Sequence, residues 1–141
     1  MTRILGVDYG ERRTGLAASD PSGTIAFPRE TLECPLLEQA AAAVARAAAA
    51  EGASLIVVGW PLNMDGTEGP RTARTAAFID ALSSRTAVPI ARWDERLSTK
   101  IAESVLLEAN TSRTKRRTVV DKLAAQIILQ SYLDAHPSSP L

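Results

Sequence analysis

The stretch Arg3-Ile4-Leu5-Gly6-Val7-Asp8-Tyr9-Gly10-Glu11-Arg12-Arg13-Thr14-Gly15-Leu16-Ala17-Ala18-Ser19 decides how this chain is read. Arg3 to Tyr9 carries an apolar run, reads as a buried strand, and ends in a carboxylate, Asp8. Gly10 lets the chain turn sharply with no Cβ, so a phosphate or metal ion can approach the backbone. Glu11-Arg12-Arg13 forms the tight turn, and Thr14 to Ser19 is the returning strand. A third strand, Thr24 to Leu32, entered through Pro21-Ser22-Gly23, makes an antiparallel meander of the three.

The rest of the chain changes period. Pro35 to Ala50 is an alanine-rich helix with Leu36, Leu37, Ala40, Ala43, Val44 and Ala47 on its core side, stopped by Gly52. Leu55 to Val58 reads as a central parallel strand. Gly59 to Gly69 is a loop, and Pro70 to Ser83 a helix with proline at a tolerated first-turn position. Val88 to Trp93 is the fifth strand. Ser98 or Thr99 caps a further helix to about Ala109, Asn110 to Thr118 is a polar, basic connection, and Val119 to Asp134 is the last helix. The pattern predicts an α/β fold, a mixed five-stranded sheet flanked by helices on both faces. It forms one domain over 1–135, with a flexible tail at 136–141. The carboxyl ends of the parallel strands make the ligand crevice in such sheets.

Composition narrows the function. A length of 141 residues suits one domain with a real core. Lys and Arg (16) balance Asp and Glu (16), so a polyanion must be held by a local patch rather than by bulk charge. One cysteine, Cys34, and one histidine, His136, exclude an internal disulfide and a His/Cys zinc site. A reducing, cytoplasmic setting is expected. No signal peptide is visible, and no apolar run is long enough to span a bilayer.

Four acids stand where ionised groups are costly. Asp8 ends the first strand, Asp94 and Glu95 end the fifth, and Asp121 opens the last helix. Shared divalent cations would offset that cost, and three oxygen ligands suit Mg²⁺ or Mn²⁺. Two such ions about 4 Å apart activate a water and stabilise the leaving oxygen of a phosphodiester. Adjacent strand residues face opposite ways, so only one of Asp94 and Glu95 shares a site with Asp8. Glu95 is preferred, Asp94 is the rival, and Arg96 pairs with whichever remains. Small residues at Ala124 and Ala125 let the last helix pack closely and bring Asp121 toward Asp8. Each acid alone has an ordinary explanation in a turn or a helix terminus.

Basic and polar groups near these acids suggest a nucleic-acid partner. Arg113-Thr114-Lys115-Arg116-Arg117 is the only concentrated basic run and directly precedes Asp121 and Lys122. Arg12 and Arg13 at the first turn, Arg71 and Arg74 on one helix face, and Arg96 after the fifth strand extend the patch. Asn63 and Thr67, in a loop dense in turn formers, offer further phosphate contacts. Trp60 and Trp93 read as packing residues rather than base-stacking platforms.

Four ordered motifs carry a family resemblance: Gly-Val-Asp-Tyr-Gly-Glu-Arg-Arg-Thr-Gly-Leu-Ala-Ala-Ser-Asp (6–20), Val-Gly-Trp-Pro-Leu-Asn-Met-Asp-Gly-Thr (58–67), Asp-Glu-Arg-Leu-Ser-Thr (94–99) and Val-Asp-Lys-Leu-Ala-Ala-Gln-Ile-Ile-Leu-Gln (120–130). Together they resemble the bacterial YqgF/RuvX family, itself similar to RuvC-type Holliday junction resolvases. The resemblance implies a ribonuclease H-like fold and a metal-dependent nuclease. Its substrate would be either the 5′ end of the small-subunit ribosomal RNA precursor or a branched DNA junction, the latter requiring a homodimer. It also implies that Asp8, Glu95 (or Asp94) and Asp121 are the acidic catalytic positions, with Glu68 a further donor if its loop folds inward. Trp60 and Ser98 depart from the residues common at those places. Two rivals remain: a nucleotide-binding phosphotransfer protein of the actin, heat-shock-chaperone and sugar-kinase type, and a non-catalytic RNA-binding module.

Overall fold

The computed structural model describes residues 3–97 and 113–137, with side chains from 123 onward in the second segment. Strands β1 (Arg3–Asp8), β2 (Arg13–Ser19) and β3 (Ala26–Glu33) lead into helix α1 (Leu37–Glu51). Strand β4 (Ala53–Trp60), helix α2 (Pro70–Ser83), strand β5 (Ile90–Asp94) and helix α3 (Arg113–Ala135) follow. The sheet order is β3-β2-β1-β4-β5. β1 and β2, and β2 and β3, pair antiparallel; β1 and β4, and β4 and β5, pair parallel. The expected mixed five-stranded sheet is therefore formed, with β1 at its centre.

Alternation along the strands divides the core into two layers. Leu5, Val7, Leu16, Ile56 and Val58 pack under α1 and α2 against Ala40, Val44, Phe78 and Leu82. Ala17 and Val57 face the other way, against Ala125, Ile128, Leu129 and Leu133 of α3. Alanine favours the helix intrinsically, and its size lets α1 settle closely on the sheet. Gly52 ends α1 with φ of 64°, its N–H reaching the carbonyls of Ala48 and Ala49. α2 starts at Pro70 as expected, and Thr72 Oγ1 accepts the Gly69 N–H at 2.7 Å.

Several boundaries differ from those the residues suggest. β3 begins only at Ala26, because Asp20 Oδ1 takes the N–H groups of Thr24 and Ile25, each at 2.8 Å, into the preceding turn. β4 runs on to Trp60, since Gly59 and Trp60 still pair with Trp93 and Asp94. The larger correction concerns α3. The basic run was expected in a connection before a helix opening near Asp121, but Arg113 to Thr118 already belongs to α3. Arg and Lys are good helix formers, and no proline or glycine interrupts 113–135. Asp121 therefore lies more than two turns in from Arg113, beyond the reach of the helix-terminus explanation for its charge. The expected helix from 98 to about 109 lies outside the described residues.

Candidate active site

The two layers sort the acids. On β1, Leu5 and Val7 point under α1 and α2, so Gly6 and Asp8 face α3. Asp8 is paired in register with Gly15 on β2. A Cβ on Gly15 would stand 3.9 Å from that of Asp8 and 3.6 Å from that of Ala125. On the other flank, Val7 pairs with Val58, which brings Gly59 alongside Asp8. A Cβ on Gly59 would stand 2.7 Å from Oε1 of Glu95 and 2.7 Å from Cδ1 of Ile128. Glu95 therefore lies across the end of β4 on Asp8's face, in space that a side chain on residue 59 would fill.

Glu95 is mostly buried, with 17% of its side chain exposed, and Arg71 Nη2 stands 3.6 Å from its Oε2. Its own N–H donates to the Trp60 carbonyl at 3.1 Å, extending the β4–β5 pairing by one residue. Asp94 faces away. It accepts from Arg96 Nη2 at 2.7 Å, from Arg96 Nε at 3.0 and 3.1 Å, and from the Arg96 N–H at 2.9 Å. The guanidinium bonds, chiefly, hold the Asp94 carboxyl below the usual carboxylate range, against the opposing effect of desolvation. Of the two adjacent acids, the pair with Arg96 is made by Asp94.

Arg96 also organises the loop between β4 and α2. Its Nη1 donates to the Met64 carbonyl at 3.3 Å, and it packs over Gly66, whose φ is 88°. Asn63 Nδ2 donates to Thr67 Oγ1 at 2.9 Å, and Thr67 donates to Asp65 through its N–H at 3.0 Å and its hydroxyl at 2.6 Å. Asn63 and Thr67, both exposed and expected to contact phosphate, thus also bond to each other within the loop. Asp65 organises this loop, and Asp-Gly-Thr is the turn chemistry that signals it in the sequence. Glu68 is exposed. Trp60 and Trp93 pack as expected, Trp60 beneath the Arg92 guanidinium at 4.2 Å and Trp93 edge-on to Tyr132 at 5.6 Å.

A cleft of about 410 Å³ opens beside Asp8, lined by Gly10, Arg12, Arg13, Gly15 and Arg71 among others. Three of the expected arginines are thus gathered at the expected acid. Arg13 also pairs with Glu33 across the β2–β3 ladder at 3.4 Å. Arg74 lies in an adjoining cavity, in contact with Glu11. Asp121 stands one turn before Ala125 along α3, on the same helical face, and Ala125 is 2% exposed against the sheet. The side chains of Arg113, Lys115, Arg116, Arg117, Asp121 and Lys122 lie outside the described residues.

Among the described residues, no three His, Cys, Asp or Glu are grouped to hold a metal ion. The two carboxylates on the α3 face still fit a hard divalent cation. Their donors are all oxygen, and the glycines beside them place no side chain in the way.

A sheet of this order, with α3 on the face that carries an acid at the end of the central strand, defines a ribonuclease H-like nuclease fold. The chain superposes on T. thermophilus RuvC in complex with a Holliday junction substrate with a TM-score of 0.58 at 14% identity, covering 100% of each chain. On the Fowlpox virus Holliday junction resolvase the TM-score is 0.53 at 13% identity, covering 95% of this chain and 99% of that one. The family model described as "RuvX: Holliday junction resolvase" matches residues 2–135, and the chain belongs to that family. Its relatives include proteins of Symbiobacterium thermophilum, 48% identical over 98% of this chain and 96% of theirs, and of Myxococcus xanthus, 45% identical over 95% and 89%. Both bear the name "Putative pre-16S rRNA nuclease". The protein is accordingly a nuclease, a hydrolase of phosphodiester bonds.

Proposed function

We propose that the protein is a Mg²⁺- or Mn²⁺-dependent nuclease of the cytoplasm that matures the 5′ end of the small-subunit ribosomal RNA precursor. The observation that carries the catalytic part is the placement of Asp8 and Glu95 on one face of the sheet, at the open end of its central strands. Asp8, Glu95 and Asp121 hold the cation, and Asp94 serves the loop through Arg96. The bound ion supplies an activated water and charge stabilisation for the departing oxygen. Arg12, Arg13 and Arg71 line the cleft and grip phosphates flanking the cut. Gly59 leaves the space that the Glu95 side chain occupies on Asp8's face of the sheet. Arg113, Lys115, Arg116, Arg117 and Lys122 extend the grip along α3, on the arm of the helix that leads to Asp121. No helix among the described residues is long and apolar enough to cross a membrane.

The RNA substrate is favoured because relatives at 45–48% identity over nearly the whole chain carry that name. A four-way DNA junction is the second reading, favoured by the family's description. That reading needs two active sites, hence a homodimer. Purified protein with Mn²⁺, offered a 5′-extended rRNA precursor and a four-way DNA junction in parallel, separates the two. Asp8→Asn is expected to abolish cleavage of whichever substrate is cut and to leave the circular dichroism spectrum unchanged. Cleavage by that variant at the wild-type rate would overturn the assignment.

A further inference from the structure

A second cavity, of about 290 Å³, lies between the β1–β2 turn and α2, lined by Tyr9, Gly10, Glu11, Arg71, Arg74 and Thr75. It opens on the side of β1 away from Asp8. Tyr9 follows Asp8 and points under α2, where its ring stacks on Phe78 with centroids 4.4 Å apart and 14° between planes. That stack fixes one wall. Arg71 and Arg74 are three residues apart on α2 and so project from one helix face. Arg71 lines both this cavity and the Asp8 cleft. Glu11 presents its carboxylate to Nη1 of Arg74. Carboxylate and phosphate oxygens make the same contact with a guanidinium fork. With Glu11 63% and Arg74 48% exposed, the pair is weak and readily exchanged for a phosphate oxyanion.

We infer that this cavity is a phosphate subsite, in which a phosphate of the substrate strand takes the place of the Glu11 carboxylate on Arg74 with Arg71 beside it. The inference adds to the nuclease reading a second hold on the same strand. One phosphate lies at the carboxylates and another lies across the end of β1, with Arg71 between them. Glu11 acts as an internal plug that any strand must displace, so it lowers affinity and rejects ligands without a phosphate.

The test measures binding without divalent metal, so that it stands apart from cleavage. Fluorescence anisotropy of a labelled single-stranded RNA, in EDTA, is read with a 5′-phosphate and with a 5′-hydroxyl. Arg74→Gln should raise Kd about fivefold. Glu11→Gln should lower Kd about threefold, and the double variant should bind no better than Arg74→Gln alone, because Glu11 acts through Arg74. Glu38→Gln, which removes one negative charge on α1, should leave Kd unchanged and so excludes a bulk-charge effect. If the changes appear only with the 5′-phosphate, the subsite takes a strand terminus; if they appear with both ends, it takes an internal phosphodiester. Thermal unfolding of each variant checks that it is folded. Unchanged affinity in a folded Arg74→Gln variant, or equal gains from Glu11→Gln and Glu38→Gln, would overturn the inference. A protein that binds as described but cuts nothing would overturn the nuclease reading alone.

Discussion

Gly59 and Glu95 share one space: a Cβ on Gly59 would stand 2.7 Å from the Glu95 Oε1 and 3.0 Å from its Cγ. The absence of a side chain on β4 is what lets Glu95 lie across the strand end toward Asp8. Gly59→Ala should therefore move Glu95 and lower kcat on the order of 100-fold, the usual cost of misplacing a reacting group by about 1 Å. Gly52→Ala is the contrast. Its Cβ meets nothing within 4 Å, but φ is 64°, so it should cost about 1 kcal/mol of stability and leave kcat unchanged. Steady-state cleavage and urea unfolding of both variants separate the effects.

Arg71 stands 3.6 Å from Glu95 and lines the Asp8 cleft. In the proposed site its charge would compete with a cation for the carboxylate and would attract the substrate's phosphates. Arg71→Gln should thus shift two parameters in opposite directions. The Mn²⁺ concentration for half-maximal activity should fall and KM for the nucleic acid should rise, each by roughly threefold for a guanidinium 66% exposed. Titrating the metal at saturating substrate, and the substrate at saturating metal, gives both. A parallel rise in the two would mean that Arg71 holds structure rather than charge.

How far the residues alone disclosed this site depends on which rule governed each one. Strand alternation is strict, so it was foreseeable that Asp94 and Glu95 could not both face Asp8. The stop at Gly52 and the start at Pro70 follow from local backbone chemistry, and Gly10 is needed where a Cβ would stand 2.5 Å from the Arg13 carbonyl oxygen. Glycine as an absent side chain was harder to foresee. Gly15 and Gly59 look like strand weaknesses until the register shows them flanking Asp8 and underlying Glu95. The loop's own bonding was not legible, because polar loop side chains can serve ligands and their own loop with the same atoms, and only the folded chain shows Asn63, Asp65, Thr67 and Arg96 bonded together. The charge of the basic run suggests a solvated connection, whereas its helix propensity and the lack of a breaker put it in α3.

The Asp94–Arg96 pair predicts a pH dependence. The guanidinium lowers the Asp94 pKa in the folded state below its unfolded value of about 3.9. The pair therefore adds stability in full above that unfolded value, and the contribution fades as pH falls through the folded pKa. At neutral pH Asp94→Asn should cost about 1 kcal/mol, with solvent screening at 24% and 33% exposure taken into account. The difference from wild type should shrink below about pH 4. Urea unfolding of the two proteins across pH 3 to 7 checks the sign. A gap that widens in acid would contradict the assignment.

Gly6 sets how closely α3 lies on β1. A Cβ there would stand 2.7 Å from Cβ of Leu129 and 3.2 Å from the Ala125 carbonyl oxygen, both carried on the helix backbone. Neither can swing aside as a flexible side chain would, so Gly6→Ala must shift α3 as a body. Overpacking of this kind costs about 2 kcal/mol. Gln126 and Gln130 oppose the shift: Gln126 Nε2 donates to the Ala26 carbonyl at 3.1 Å, and Gln130 accepts the Ala26 N–H at 2.9 Å. The helix should therefore move most at the end away from these clips, toward Asp121. Cleavage should be lost out of proportion to stability, with kcat down at least about tenfold at temperatures where the variant is fully folded. Ala17→Gly, in the same layer on β2, gives the comparison: it should cost about 1 kcal/mol with kcat retained. Equal kcat values in the two folded variants would show that the seating of α3 on β1 does not govern the site.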